Sequence, residues 1–140
     1  FAVMVVDLDR FKSVNDRFGH AAGDWVLAEA ARRLSENLRM SDLLARIGGE
    51  EFLVALPQTT FEDAERVADR LREVIAQHPI TLPSGHALRV TASIGVAMGQ
   101  AMDGAPEDVA ALIDRADKAL LHSKSAGRNL VTFAGGRTAA

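Results

Sequence analysis

The 140-residue sequence contains no cysteine, which excludes a disulfide scaffold and any thiolate metal centre and accords with a reducing cytoplasm. Nor does it carry an excess of positive charge. Sixteen basic residues against nineteen acidic ones leave a formal charge of −3, so no global field would gather nucleic acid or an anionic membrane, and a bound polyanion would have to be held locally. Apolar runs are no longer than a strand, well short of the ~20 residues of a membrane span, and no basic leader precedes an apolar signal core. Internal repeats and low-complexity linkers are absent too. His20, His78, His86 and His122 are too dispersed to suggest a metal cluster. The chain opens on Phe1-Ala2-Val3-Met4-Val5-Val6 with no polar lead-in and no initiator methionine, as expected of a piece cut from a longer protein. What is there is 48% hydrophobic and 25% charged, enough for one ordinary core and too little for two domains.

Residues 1–8 are β-branched-rich and apolar up to Asp7-Leu8-Asp9, the pattern of a central strand covered on both faces. Val26, Leu27, Ala30, Ala31, Leu34 and Leu38 recur at helical spacing and predict an amphipathic helix over about 22–38. The runs 43–47 and 52–56 flank Gly48-Gly49-Glu50-Glu51 and predict a β-hairpin whose glycines supply positive φ. Thr60 with Asp63 suggests a capping box for a second helix, which Pro79 closes. A turn at Pro83-Ser84-Gly85 precedes a strand within 88–97, where Gly95 marks a close approach of backbone or ligand. Pro106 suits the first turn of a third helix that stops at Gly127, and 129–133 reads as a last strand. Phe18 and Trp25 read as core residues. The expected fold is α/β (α+β): a ferredoxin-like, palm-type mixed central sheet with a β-hairpin in its middle and helices on both faces. Residues 1–134 form the expected domain, and 135–140 a flexible tail.

Two acidic loci stand at strand ends: Asp7 with Asp9, and Glu50 with Glu51. If the hairpin neighbours the first strand, carboxylates from both could share one hard cation that also binds phosphate. Acids beside turns are commonly just solvated, yet adjacent carboxylates next to paired glycines repel each other unless a cation or a hydrogen-bonding ligand is present. Arg10-Phe11-Lys12 leaves the strand into a helical turn, where free amides and one lysine suit a phosphate. Lys124, Gly127 and Arg128 also read as a basic turn complementing a helix C-terminus.

The stretch from Asp7-Leu8-Asp9-Arg10-Phe11-Lys12 through Asn15-Asp16-Arg17-Phe18-Gly19-His20 to Gly23-Asp24, followed by Gly48-Gly49-Glu50-Glu51-Phe52, resembles the GGDEF family of diguanylate cyclases in its GGEEF form. Ala92-Ser93-Ile94-Gly95-Val96-Ala97, Ala116-Asp117-Lys118-Ala119-Leu120 and Lys124-Ser125-Ala126-Gly127-Arg128-Asn129 extend the resemblance over nearly the whole chain. It implies condensation of two GTP into cyclic di-GMP, a nucleotidyl transfer aided by Mg2+ or Mn2+.

By the resemblance, Asp7, the Leu8 carbonyl and Glu50 form a metal site, with Asp7, Glu50 and Glu51 as the catalytic acids. The triphosphate would lie over the backbone of Arg10 and Phe11, held by Lys12, Lys124 and Arg128. Asn15 and Asp24 would read the guanine edge, and Gly48 and Gly49 would let the hairpin backbone approach the nucleotide. Arg39, Asp42 and Arg70 match a product-inhibition site for cyclic di-GMP. The product has two equivalent phosphodiester bonds, so a second copy of the domain is the implied partner, with a sensor domain upstream. The family pattern normally begins with an earlier helix, and nothing of that kind precedes Phe1. Two rival readings are a catalytically silent receptor for GTP or cyclic di-GMP, and another palm-type cyclase or polymerase relative.

Overall fold

The computed structural model describes residues 1–99, 101–102, 105–135 and 137–139. In chain order the elements are β1 (Ala2–Leu8), α1 (Phe11–Phe18), α2 (His20–Glu36), β2 (Leu43–Arg46), β3 (Glu51–Leu56), α3 (Phe61–Ala76), β4 (Ile80–Thr81) and β5 (Ala87–Leu88). Then follow β6 (Ala92–Met98), β7 (Ala101–Met102), β8 (Ala105–Pro106), α4 (Val109–Ser125), β9 (Val131–Phe133) and β10 (Arg137–Ala139).

All seven residues of β1 are buried, and the alternation of a strand explains how. Ala2, Met4, Val6 and Leu8 enter the core that α2 and α3 cover. Val3 and Val5 enter a second core beneath Leu112, Ala116 and Leu120 of α4. Helices therefore cover both faces, as the uninterrupted apolar run requires. Among the described residues the main sheet runs β10-β9-β6-β1-β3-β2, with β6 and β9 parallel and the other neighbours antiparallel. It is a mixed, palm-like sheet.

Several expectations need correction. The hairpin lies at an edge of the sheet, not in its middle, because β3 takes one flank of β1 while β6 takes the other. Gly48 and Gly49 are not among the residues with positive φ, so no left-handed turn accounts for them. The chain after β1 forms a separate eight-residue helix, α1, rather than a single turn, and α2 starts at His20. Pro106 sits in β8, ahead of a helix that starts at Val109 with Asp108 at its N-cap. Trp25 is 48% exposed and donates its Nε1 to the Thr81 carbonyl at 2.9 Å, so it is no core residue. Within the stretch 135–140, residues 137–139 form β10, which pairs antiparallel with β9.

Other details match the local chemistry. Thr60 caps α3 by accepting the Asp63 N–H at 3.1 Å. Gly95 lies under α4 so tightly that a Cβ there would stand 2.1 Å from the Ala116 carbonyl oxygen and 2.3 Å from Leu120 N. The approaching group expected at that glycine is thus helix backbone. Among the described residues, no helix is long and apolar enough to cross a membrane.

Candidate active site

The end of β1 and the glycine turn lie side by side. Leu8 N donates to the Glu50 carbonyl at 3.2 Å, and the antiparallel register sets Asp7 opposite Glu51. Directly paired residues point to the same face, so the side chain brought to Asp7 is that of Glu51. Its carboxyl is held above the usual carboxylate range by burial first, then by the Asp7 and Asp117 charges and a hydrogen bond with Asp7, against an opposing pull from Lys124. Lys124, arriving from α4, bonds Asp7 Oδ2 at 2.9 Å where Asp7 is 4% exposed. Two carboxylates pressed together in this way are suitable oxygen donors for a hard divalent cation. Among the described residues no group of three or more His, Cys, Asp or Glu side chains is arranged to hold a metal, so further ligands would be backbone or phosphate oxygens. The resemblance gave Glu50 to that set. Glu50 also lines a cavity beside the turn.

That cavity, of about 460 Å3, lies between α1, α2 and the turn, lined among others by Phe11, Lys12, Asn15, Asp24, Gly49 and Glu50. Asn15 Oδ1 is buried in the protein without a hydrogen-bond partner, a costly state for a polar atom unless a ligand supplies the donor. A Cβ on Gly23 would stand 1.9 Å from that oxygen, so the Asn15 side chain needs a glycine beneath it. Around an added Cβ at Gly49 there is open space within 4 Å. Arg46, which donates to the Gly48 carbonyl at 3.1 Å, and His20 also line the cavity. Sequence reasoning passed over both, because one lies in a strand and the other at a helix start without a distinctive neighbour.

Asp9 plays a different part from Asp7. It is 8% exposed and accepts from Thr91 Oγ1 and Ser93 Oγ, each at 2.6 Å, and from Asn129 N at 3.0 Å. Both oxygens are therefore occupied by donors from β6, the residue before it and the loop after α4. Arg10, Arg128 and Asn129, the described non-glycine residues with positive φ, cluster at this end of the sheet, a conformation that costs about 1–2 kcal/mol per residue. Asp9 latches that loop, a role that only partners distant in sequence reveal. Lys12 and Arg128 are exposed.

The candidate inhibitory residues also gather. Asp42 has a buried side chain, closes the turn after α2 by accepting from Arg39 N at 2.8 Å, and pairs with the Arg39 guanidinium at 3.3 Å. Arg70 of α3 reaches the Asn37 carbonyl at 2.8 Å. Arg39 keeps a 60% exposed side chain.

A mixed sheet with acids at the end of its central strand and a cavity of about 460 Å3 beside them defines a palm-like class of domain. The chain belongs to the GGDEF family: the model described as diguanylate cyclase, GGDEF domain, matches residues 1–130. It is 44% identical over 131 residues to the response regulator PleD of Caulobacter vibrioides, covering 93% of this chain and 28% of that protein. Among solved structures it resembles the GGDEF domain of PA1120 (YfiN or TpbB) from Pseudomonas aeruginosa, with TM-score 0.88 and 40% identity, over 97% of this chain and 83% of that one. The GGDEF domain of DgcB from Caulobacter crescentus, solved in complex with c-di-GMP, matches with TM-score 0.87 and 32% identity over 95% of this chain and 77% of that one. The chain spans about a third of the length of the curated relatives it matches.

Proposed function

We propose that this chain is the catalytic domain of a diguanylate cyclase, which joins two GTP into cyclic di-GMP and releases two pyrophosphates. The observation that carries the reading is the pairing of Asp7 with Glu51 beside a cavity in which Asn15 Oδ1 lacks a donor. Guanine presents N–H donors there and adenine presents a different edge, so Asn15 and Asp24 select GTP over ATP. Lys12, Lys124 and Arg128 hold phosphate oxygens, and the backbone of Arg10 and Phe11 lies under the triphosphate, with Gly48 and Gly49 admitting it.

Mg2+ or Mn2+ would be held by Asp7, the Leu8 carbonyl and Glu50, with Glu51 beside Asp7, and when bound it supplies charge neutralisation at the phosphates and lowers the pKa of the attacking hydroxyl. Glu51, paired with Asp7, is the further catalytic acid at this end of the sheet. The 3′-oxygen of one GTP bonds to the α-phosphorus of the other, the bond from that phosphorus to the β-bridging oxygen breaks, and the hydroxyl proton is taken by a carboxylate or solvent. A second transfer closes the ring. Each chain offers one such cavity, so the productive species is a pair of domains about a two-fold axis. Arg39, Asp42 and Arg70 bind the product and restrain that pairing, under the control of an upstream sensor domain.

The test is incubation of the protein with GTP or ATP and Mg2+, with the product identified by mass. Cyclic di-GMP is expected from GTP alone, and Glu50→Ala and Glu51→Gln should each abolish it while circular dichroism is preserved. Binding of GTP without any product at high protein concentration would overturn the cyclase reading in favour of a receptor.

A further inference from the structure

A second cleft, of about 380 Å3, opens between α1 and β5, lined by Arg10, Arg17, Phe18, His86 and Arg89 and floored by Asp9. It adjoins the nucleotide site at Arg10, whose backbone is placed under the triphosphate, but none of its lining residues is among those of the nucleotide cavity, whose lining from α1 is Phe11, Lys12 and Asn15. Its arginines are unusual within this chain. Those on α2, α3 and α4 are bound to carboxylates or carbonyls, as Arg33, Arg72 and Arg115 illustrate. The guanidinium groups of Arg10, Arg17 and Arg89 have no ion pair or hydrogen bond among the described residues. Like charges are not expected to gather without an anion to share. The acidic floor does not neutralise them by contact, because the Asp9 oxygens are already taken by Thr91, Ser93 and Asn129. Arg17 is positioned as well as unpaired: its guanidinium lies 5.0 Å from the Phe18 ring centroid, and that ring tilts against His86 at 5.3 Å. Overall the protein is acidic, with a formal charge of −3, so the cluster is not a by-product of general basicity.

We infer that this cleft is a second anion site, distinct from the nucleotide cavity, that takes an oligophosphate group. Three guanidinium forks match several phosphate oxygens bidentately, which a single carboxylate cannot do. The concave shape and the volume suit a small ligand rather than a flat acidic surface. Free pyrophosphate and the phosphate tail of a nucleotide share this chemistry.

The experiment is titration calorimetry of the protein with inorganic pyrophosphate and, separately, with GTP, without metal and at low salt. It compares the unmodified chain with the Arg17→Gln/Arg89→Gln double variant and with Arg66→Gln. Arg17 and Arg89 are both exposed, so the double variant should melt within a few degrees of the parent. We expect at least tenfold weaker pyrophosphate binding in the double variant and little change in Arg66→Gln, an exposed arginine on α3 outside both sites. A tenfold loss confined to GTP would support the site with a nucleotide as its source. No pyrophosphate or GTP binding by the unmodified chain, or equal affinities in it and the double variant, would overturn the inference. No turnover enters this measurement, so equal affinities in the unmodified chain and the double variant would leave the cyclase reading untouched.

Discussion

Replacing Asp9 by alanine should cost far more stability than replacing Asp7, although the two acids stand two residues apart on the same strand end. Asp9 accepts three hydrogen bonds in a nearly closed site, and bonds to a charged acceptor are worth about 1.5–3 kcal/mol each. The Thr91 hydroxyl is half-buried and can turn toward water, which discounts its share. Ser93 is fully buried, and the Asn129 amide is fixed in a left-handed turn at φ 51, so both would be left without an acceptor. The sum is about 3–5 kcal/mol, a large part of the ~5–15 kcal/mol that holds a domain together. In urea, with a slope of about 2 kcal/mol/M, the midpoint should fall by about 2 M. Asp7→Asn should move it little, because Asp7 has the partly exposed Lys124 as its ion-pair partner and sits against a repelling Glu51. The assay is urea unfolding followed by circular dichroism, with Trp25, the single tryptophan, as a second probe. Equal midpoints for the two variants would refute the latch.

Three further outcomes follow from the site. Because the Glu51 pKa is raised in the folded protein, the stability this group contributes is fully present below about pH 4.5, its ordinary range, and is lost as pH rises through the raised value. Glu51→Gln should therefore lose less unfolding free energy than the parent between pH 4.5 and 7.5 in urea melts, and parallel profiles would contradict the assignment. Gly23→Ala places a Cβ against Asn15 Oδ1 and should weaken GTP binding about tenfold, ~1.4 kcal/mol, in a calorimetric titration while the melting temperature barely moves. Arg39→Ala should relieve inhibition by cyclic di-GMP with synthesis retained. An unchanged inhibition curve would remove Arg39 from the inhibitory site.

Much of the architecture was legible because its periodicities are local. The apolar run of 1–8 required cover on both faces, and the helical stripes of α2, α3 and α4 emerge within a few residues of where they were expected. Boundaries near proline and glycine were less legible: Pro106 suits a helix start as well as it suits the short strand it occupies. The hairpin was legible, but its place at the sheet edge was not, since pairing order depends on which flank of β1 each later strand takes.

The sequence by itself determined that acids, glycines and basic residues would meet at strand ends, since strand and helix periods decide which residues each element sends there. It could not say which of two adjacent glutamates meets Asp7. Side chains alternate along a strand, so a register shift of one residue would exchange Glu50 for Glu51, and only the pairing of β1 with β3 settles it. The same holds for Asp9, held by residues 82 to 120 positions away. Arg10, at the start of α1, and Arg17, in its last turn, likewise share a cleft with Arg89 only once the folded chain brings β5 beside that helix.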